Sequence, residues 1–390
     1  MNDLLEHWQL ILVPVFFALG WLAARIDMRQ VVHESRALPR SYFAGLNFLL
    51  NEQPDRAIDS FLEVARVDSQ TVELHFALGN LFRRRGETER AIRMHQNLLD
   101  LPDVEEKHRL HAMVELGQDF LKAGLLDRAE EIFNQLQGSS QAGEAKRYLL
   151  EIYQLGKEWQ KAIDLAREMP EIATPQEVAE YYCELAASEI MRSQGELARS
   201  HLTAALQENR KCVRANVLLG DVQAQEGQTE SAIATWQRVE QQDPAYLSLL
   251  AQRLMTAYRK LDRRAEGVAL LRGYLEHYPS LDLIEVVYQL VLESEGSEAA
   301  YRLVQAELQR NPGLVGLEKL LSARLPLASP ESQGDLELAR SIIQNYTRRL
   351  SRYRCTHCGF KARQYYWRCP ACGDWESTPP RRNEEFDQDL

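Results

Sequence analysis

From about residue 40 to residue 350 the chain keeps one rhythm. Apolar side chains recur every three or four positions, strand-like alternation is almost missing, and short breaks carry Gly, Asp or Pro. That pattern predicts an all-α region whose helices pack through one apolar stripe each. A longer period of about 34 residues runs over it. A small residue early in the second helix of each unit marks the register: Ala57, Ala91, Ala129, Ala162, Ala198, Ala232, Gly267 and Ala300. Gly79, Gly117 and Gly220 lie twelve residues before a marker, and Gly86, Gly124 and Gly227 lie five before. Phe61, Phe133 and Trp236 lie four after a marker, and Pro244, Pro279 and Pro312 lie twelve after.

Each position has a mechanical meaning. The early Gly and the small marker let paired helices approach, and the later Gly turns the chain between them. The aromatic is expected to fill the wedge between adjacent units. The Pro ends the second helix and starts the next unit. Leu150 and Met255 stand where the early Gly would be, which predicts wider helix separation there. The pattern resembles the tetratricopeptide (TPR) family over about residues 39–312. The resemblance implies a helical solenoid of about eight repeats over 39–325, with a groove lined by the first helix of each repeat. The family's groove positions fall on Phe76, Asn80 and Arg83, on Val114, Gln118 and Leu121, and on Val217, Asp221 and Ala224. Residues 325–335 read as a loop, with Asp335 capping a connecting helix from Leu336 to Tyr353, so that 326–353 forms a loop and helix.

The N-terminus breaks the rhythm. Trp8 to Ala24 carries no ionised side chain and is apolar all round. As a helix it would span roughly 26 Å, enough for a bilayer core with slight thinning. Trp8 and Trp21 sit near its ends, where interfacial aromatics belong. A signal peptide would want a basic leader, and here Asp3 and Glu6 precede the segment with no Lys or Arg. Residues 1–24 are therefore expected to be a single transmembrane anchor and 25–38 a juxtamembrane linker. Arg25, Arg29, Arg36 and Arg40 follow the span. The positive-inside rule then places the N-terminus outside and the bulk of the chain in the cytoplasm.

The C-terminus carries the chemistry. Cys355-Thr-His-Cys358-Gly359 is followed, after the short spacer Phe360 to Arg368, by Cys369-Pro-Ala-Cys372-Gly373. Two such knuckles can aim four thiolates at one ion, as in structural zinc sites and rubredoxin-like iron sites. Two disulfides or free thiols are the competing readings, and a reducing cytoplasm disfavours the disulfides. One metal ion, zinc or iron, is therefore expected on Cys355, Cys358, Cys369 and Cys372, within a unit spanning 354–378. His357 is expected to take no part, and residues 379–390 to form a flexible acidic tail. The aromatics Tyr353, Phe360, Tyr365, Tyr366, Trp367 and Trp375 exceed what so small a core can hold, so some should pack on the last helices. Cys183 and Cys212 stand alone and read as buried apolar fillers.

Charge and missing motifs narrow the function. The net charge of -11 disfavours general nucleic-acid binding. Arg348, Arg349, Arg352, Arg354, Lys361, Arg363 and Arg368 cluster around the knuckles, and are expected to offset a doubly anionic metal centre or meet an acidic partner. No phosphate loop, nucleophile elbow or His-Glu-x-x-His occurs, so no enzyme is expected and no catalytic residue is assigned. His108 and His111 share a helix face without a third ligand and read as surface histidines. Arg83-Arg84-Arg85 reads as a solvated helix end.

The order of anchor, TPR units and four-Cys ribbon resembles the lipopolysaccharide assembly protein B family of Gram-negative inner membranes, along essentially the full chain. The resemblance implies a non-enzymatic adaptor. Its partners would be the membrane protease FtsH, the lipid A deacetylase LpxC, and inner-membrane lipopolysaccharide assembly proteins. By promoting FtsH-dependent proteolysis of LpxC it would restrain lipopolysaccharide synthesis. The alternative is a static scaffold for lipopolysaccharide enzymes. A third reading, an electron carrier with iron in the ribbon, is separated by metal analysis.

Overall fold

The computed structural model describes Trp21 and residues 40–382, except 52, 54–55, 62–71, 102–103 and 349–351. Apart from Trp21, the expected anchor from Trp8 to Ala24 and the linker 25–38 lie outside the described residues. Among the described residues no helix is long and apolar enough to cross a membrane.

Two compact units divide at Ile152 and Tyr153. The first contains α1 (Arg40–Leu50), a helix that includes residues 56–61, α2 (Val72–Arg84), α3 (Thr88–Asp100), α4 (Glu106–Lys122) and α5 (Leu126–Gln135). Helix α6 (Ala142–Leu155) straddles the division. The second holds α7 (Trp159–Glu168), α8 (Pro175–Met191), α9 (Gly195–Glu208), α10 (Val213–Gln225), α11 (Thr229–Gln237) and the short α12 (Val239–Gln242). After a 3-10 turn at Pro244–Tyr246 come α13 (Leu247–Lys260), α14 (Arg264–His277), α15 (Leu281–Glu295), α16 (Ser297–Arg310), α17 (Leu314–Arg324) and α18 (Pro330–Thr347). The chain closes with a two-stranded antiparallel ribbon, β1 (Tyr353–Arg354) and β2 (Lys361–Ala362), in register Tyr353↔Ala362 and Arg354↔Lys361.

Helical pairs follow the sequence period. All seven alanine markers, from Ala57 to Ala300, are fully buried. The early glycines have a specific neighbour: a Cβ on Gly117 would fall 2.6 Å from Phe133 Cζ. Gly79 stands in the same relation to His95, and Gly220 to Trp236. In these three repeats the ring four residues after the marker thus lies on the glycine of its own repeat. Phe133 also stacks on Tyr148 of the next repeat, with centroids 4.9 Å apart, so the wedge reading holds for its other face. In the repeat of α13 and α14 the volumes are exchanged. Met255 is large, and Gly267 is the small partner whose Cβ would meet the Met255 sulfur at 2.9 Å.

Between paired helices the backbone is left-handed at one fixed place. Gly86, Gly124 and Gly227 have φ of 78°, 75° and 81°. Lys157, Ser193 and Asp262 take the same place at 57°, 61° and 57°, a strained choice for residues with a Cβ.

The stretch 325–335 departs from expectation. Only Leu325–Leu327 forms a 3-10 turn, and α18 begins at Pro330 after the N-cap residue Ser329. Pro is well suited to a first helical turn, where its missing N–H leaves no bond unmade. Asp335 therefore lies inside the helix and does not cap it.

In the first unit the core gathers Phe61, Leu74, Leu78 and Phe82. In the second it gathers Trp236, Leu250, Leu254, Leu271, Ile284 and Val287, and the ribbon's Tyr365 and Trp367 pack against it.

Candidate metal centre

The two knuckles are built alike. Gly359 N–H donates to Cys355 O (3.0 Å) and Gly373 N–H to Cys369 O (2.9 Å), closing a tight turn around each pair. Cys355 N–H donates to Phe360 O and Cys369 N–H to Asp374 O, fixing each turn at its base. Both turns need a left-handed residue, and Gly359 (φ 76°) and Gly373 (φ 75°) supply it.

The four sulfurs converge, with their Sγ atoms all within 4.8 Å of one another. Cys355 and Cys372 are 3.8 Å apart, and Cys358 and Cys369 3.7 Å. Tetrahedral ligands at ~2.3 Å from an ion would lie ~3.8 Å from each other, whereas a disulfide needs about 2.05 Å. The donor set therefore fits one metal ion. The electrostatics of the set agree. Against burial, the Ser377 hydroxyl at 3.3 Å and the backbone N–H groups of Cys358 and His357 pull the Cys355 thiol down to about 6. The Asp374 N–H favours ionised Cys372, but desolvation and its three cysteine neighbours push that thiol up to about 12. Four crowded thiols do not all ionise without a cation among them. His357 is exposed and pairs with Asp374 at 3.2 Å.

The ribbon sits on the first helices of successive repeats, well beyond the last ones expected to hold it. Arg368 makes the longest reach in sequence. Its Nε donates to Gly373 O (2.9 Å), and Nη2 and Nη1 donate to the side chain (2.9 Å) and carbonyl (3.3 Å) of Gln154. Trp375 packs edge-on against Trp159 and Tyr181 at 6.0 and 6.2 Å. Trp367 stacks on Tyr246 at 5.5 Å and 8°. At the other edge Arg382 donates to Asp282 (2.6 Å) and Glu285 (3.0 Å). Thr378 and Arg382 are buried, so the expected free tail does not start at residue 379.

Local sequence sets these contacts. Thr174 and Glu177 form a capping box that starts α8 at Pro175, and α8 carries Glu180 and Tyr181. Asp243 accepts from Ala245 N–H and turns the chain so that Tyr246 faces the ribbon.

Beneath the ribbon lies a buried cluster absent from the sequence reading. Cys183 and Cys212 are not isolated: their sulfurs stand 3.8 Å apart, with Glu180 beside Cys212. Arg214 donates to Glu180 (2.9 Å) and Glu184 (2.8 Å). Glu376 of the ribbon meets Glu180 across the seam. Burial pushes the Cys183 thiol up, and a guanidinium already occupies the carboxylate. That arrangement suits a neutral, hydrogen-bonded core better than a second cation.

The expected groove residues divide. Val114 and Val217 are 1% and 4% exposed, so they belong to the core and not to an open surface. Arg83 is no solvated helix end. It donates to Glu115 (2.5 Å), Asp119 (2.9 Å) and Asn80 (2.6 Å), and Asp119 also contacts buried His95 at 2.5 Å. Phe76 packs on His111 at 4.6 Å. Gln118 and Leu121 are half-buried. Asp221 accepts from Arg253 (2.8 Å) and lines a cleft of about 310 Å³ with Trp236 and Lys260. Burial raises the Asp221 carboxyl against the pull of Arg253.

Comparison with known proteins agrees with this architecture. Residues 353–379 match the family described as "Rubredoxin metal binding domain". Residues 74–109, 114–177 and 190–253 match families described as "Tetratricopeptide repeat". Lipopolysaccharide assembly protein B of Escherichia coli K12 is 36% identical over 379 residues, covering 95% of this chain and 97% of its own. The protein of that name from Haemophilus influenzae Rd is 32% identical over 391 residues, covering 96% and 98%. With repeats, ribbon and four-cysteine centre all in place along that likeness, the chain belongs to the lipopolysaccharide assembly protein B family.

Proposed function

We propose that this protein is a non-enzymatic adaptor that restrains lipopolysaccharide synthesis at the bacterial inner membrane. The observation that carries this reading is the likeness, along nearly the whole chain, to proteins named for lipopolysaccharide assembly. The segment Trp8 to Ala24 anchors it, with the N-terminus periplasmic and the bulk of the chain facing the cytoplasm. It brings LpxC to the protease FtsH, and confinement to the membrane raises their effective concentration without new contacts. The ribbon covers first-helix residues in the second unit. Client contact is assigned to half-buried first-helix positions of the first unit, Gln118 and Leu121.

The test is LpxC decay after translation is blocked. Depleting this protein should lengthen LpxC lifetime severalfold, and Gln118→Ala with Leu121→Ala should reproduce part of that effect. Phe76, Asn80 and Arg83 make poorer probes, because Arg83 holds two buried carboxylates together. Unchanged LpxC decay on depletion would remove the adaptor reading and favour the scaffold.

A further inference from the structure

A second polar cleft lies between α17, α18 and the ribbon. It encloses about 360 Å³ and is lined by Arg348, Arg352, Arg363, Arg382 and Lys319, against only two carboxylates, Glu285 and Glu318. Both carboxylates are already engaged. Lys319 lies 3.2 Å from Glu285 and 3.1 Å from Glu318, and Arg382 donates to Glu285 at 3.0 Å. Arg348, Arg352 and Arg363 make no close ion pair among the described residues, and Arg352 shares with Lys319 and Arg382 only the longer-range field of Glu285. Such a surplus of cations is unusual in a chain whose net charge is -11.

The surplus is placed at a structural cost. Tyr353 pairs with Ala362 in the ribbon, so Arg352 and Arg363 follow just outside the paired residues of the two strands. Two guanidiniums there repel each other, and an anion between them relieves that repulsion. Arg348 comes from the C-cap of α18, and the Gln344 side chain adds an amide to the same cleft, where the Thr347 hydroxyl donates to Gln344 O (3.2 Å). Planar guanidinium forks with a neutral amide beside them are suited to the several oxygens of a phosphate.

We propose that this cleft binds a phosphate-bearing anion, held by Arg348, Arg352 and Arg363. A carboxylate-rich peptide would want an extended track of charge, whereas this cleft is short and closed by α17 and α18 on one side. The phosphate could sit on a lipid headgroup or on a soluble metabolite, and the probes below separate the two.

The test uses the full chain, metal-loaded, in uncharged detergent. Isothermal titration with pyrophosphate should show saturable one-to-one binding that weakens as salt is raised. The double variant Arg352→Gln/Arg363→Gln should bind at least tenfold more weakly, while Arg302→Gln, on an exposed face of α16, should not change. Should the double variant lose metal or fold, Arg348→Gln on α18 serves in its place. Dihexanoyl phosphatidic acid, below its micelle concentration, is then compared with glycerol 3-phosphate. Tighter binding of the lipid supports a headgroup ligand, and equal binding supports a soluble one. No saturable binding of any phosphate probe, binding unchanged in the variants, or equally tight binding of a short poly-aspartate peptide would each overturn the proposal.

Discussion

Gly117 and Phe133 show how a repeat is held at the level of single residues. The Phe133 ring occupies the space that a Cβ on Gly117 would need. Gly117→Ala should therefore cost about 1–3 kcal/mol through overpacking. Adding Phe133→Leu should restore part of that loss, so that the two changes together cost at least about 1 kcal/mol less than their sum. Urea unfolding of the four proteins checks this, and strict additivity would contradict the contact. The sequence displayed both residues as members of a period. It did not display that they touch, because a period gives positions along the chain and not partners across it. His95 was missed for the same reason: it fills the ring position of its repeat, but is an imidazole bound to Asp119. Arg83 looked like one of three solvated arginines because its carboxylates, Glu115 and Asp119, lie a full repeat further on.

At the level of elements, the seam between ribbon and repeats depends on a shared proton. Glu180 is buried, and burial raises its carboxyl against the pull of Arg214. Glu376, facing it without a guanidinium of its own, is pushed up to about 7 by burial first, then by Glu180 and Asp243, with Arg214 opposing. Arg214 pairs with Glu180 at 2.9 Å, and the two facing carboxyls, both raised, hold a proton between them. A carboxyl raised in the folded state stabilises most fully below its unfolded value, near 4.5, and that contribution is lost as pH rises towards 7. Docking should thus weaken as pH rises from about 4.5 to about 7, by an amount on the order of 1–3 kcal/mol. Glu376→Gln should flatten that slope and raise the melting temperature at pH 8. The same slope in the variant as in the wild type, in thermal unfolding between pH 5 and 7, would refute the shared proton. The excess of aromatics over ribbon size was visible in sequence and announced that the ribbon docks. Its seat was not visible, since Arg368, Trp375 and Trp367 carry no mark of which helices they meet.

For the whole molecule, the metal decides more than the shape of some thirty residues. The knuckles have almost no apolar interior, and the large side chains of the ribbon face outward onto the repeats. Structural zinc contributes about 10–16 kcal/mol of apparent binding free energy to small sites of this kind. Removing the ion should therefore unfold the ribbon and uncover Tyr181, Arg214, Tyr246 and Asp282 together. The second unit keeps its own core of Leu250, Leu254, Leu271 and Val287, so its helices should persist. Hydrogen exchange after chelation measures this directly. Faster exchange is expected along β1, β2 and the ribbon-facing turns of α8, α10, α13 and α15, with α4 and α5 unchanged. Cys369→Ser should give the same pattern without a chelator, and His357→Ala should not. Should the seam stay protected in the metal-free protein, the aromatic and arginine contacts alone would be enough to hold the ribbon, and the metal would have no hold over that face. If the seam opens, the cysteines control access to a surface that spans several helices of the second unit.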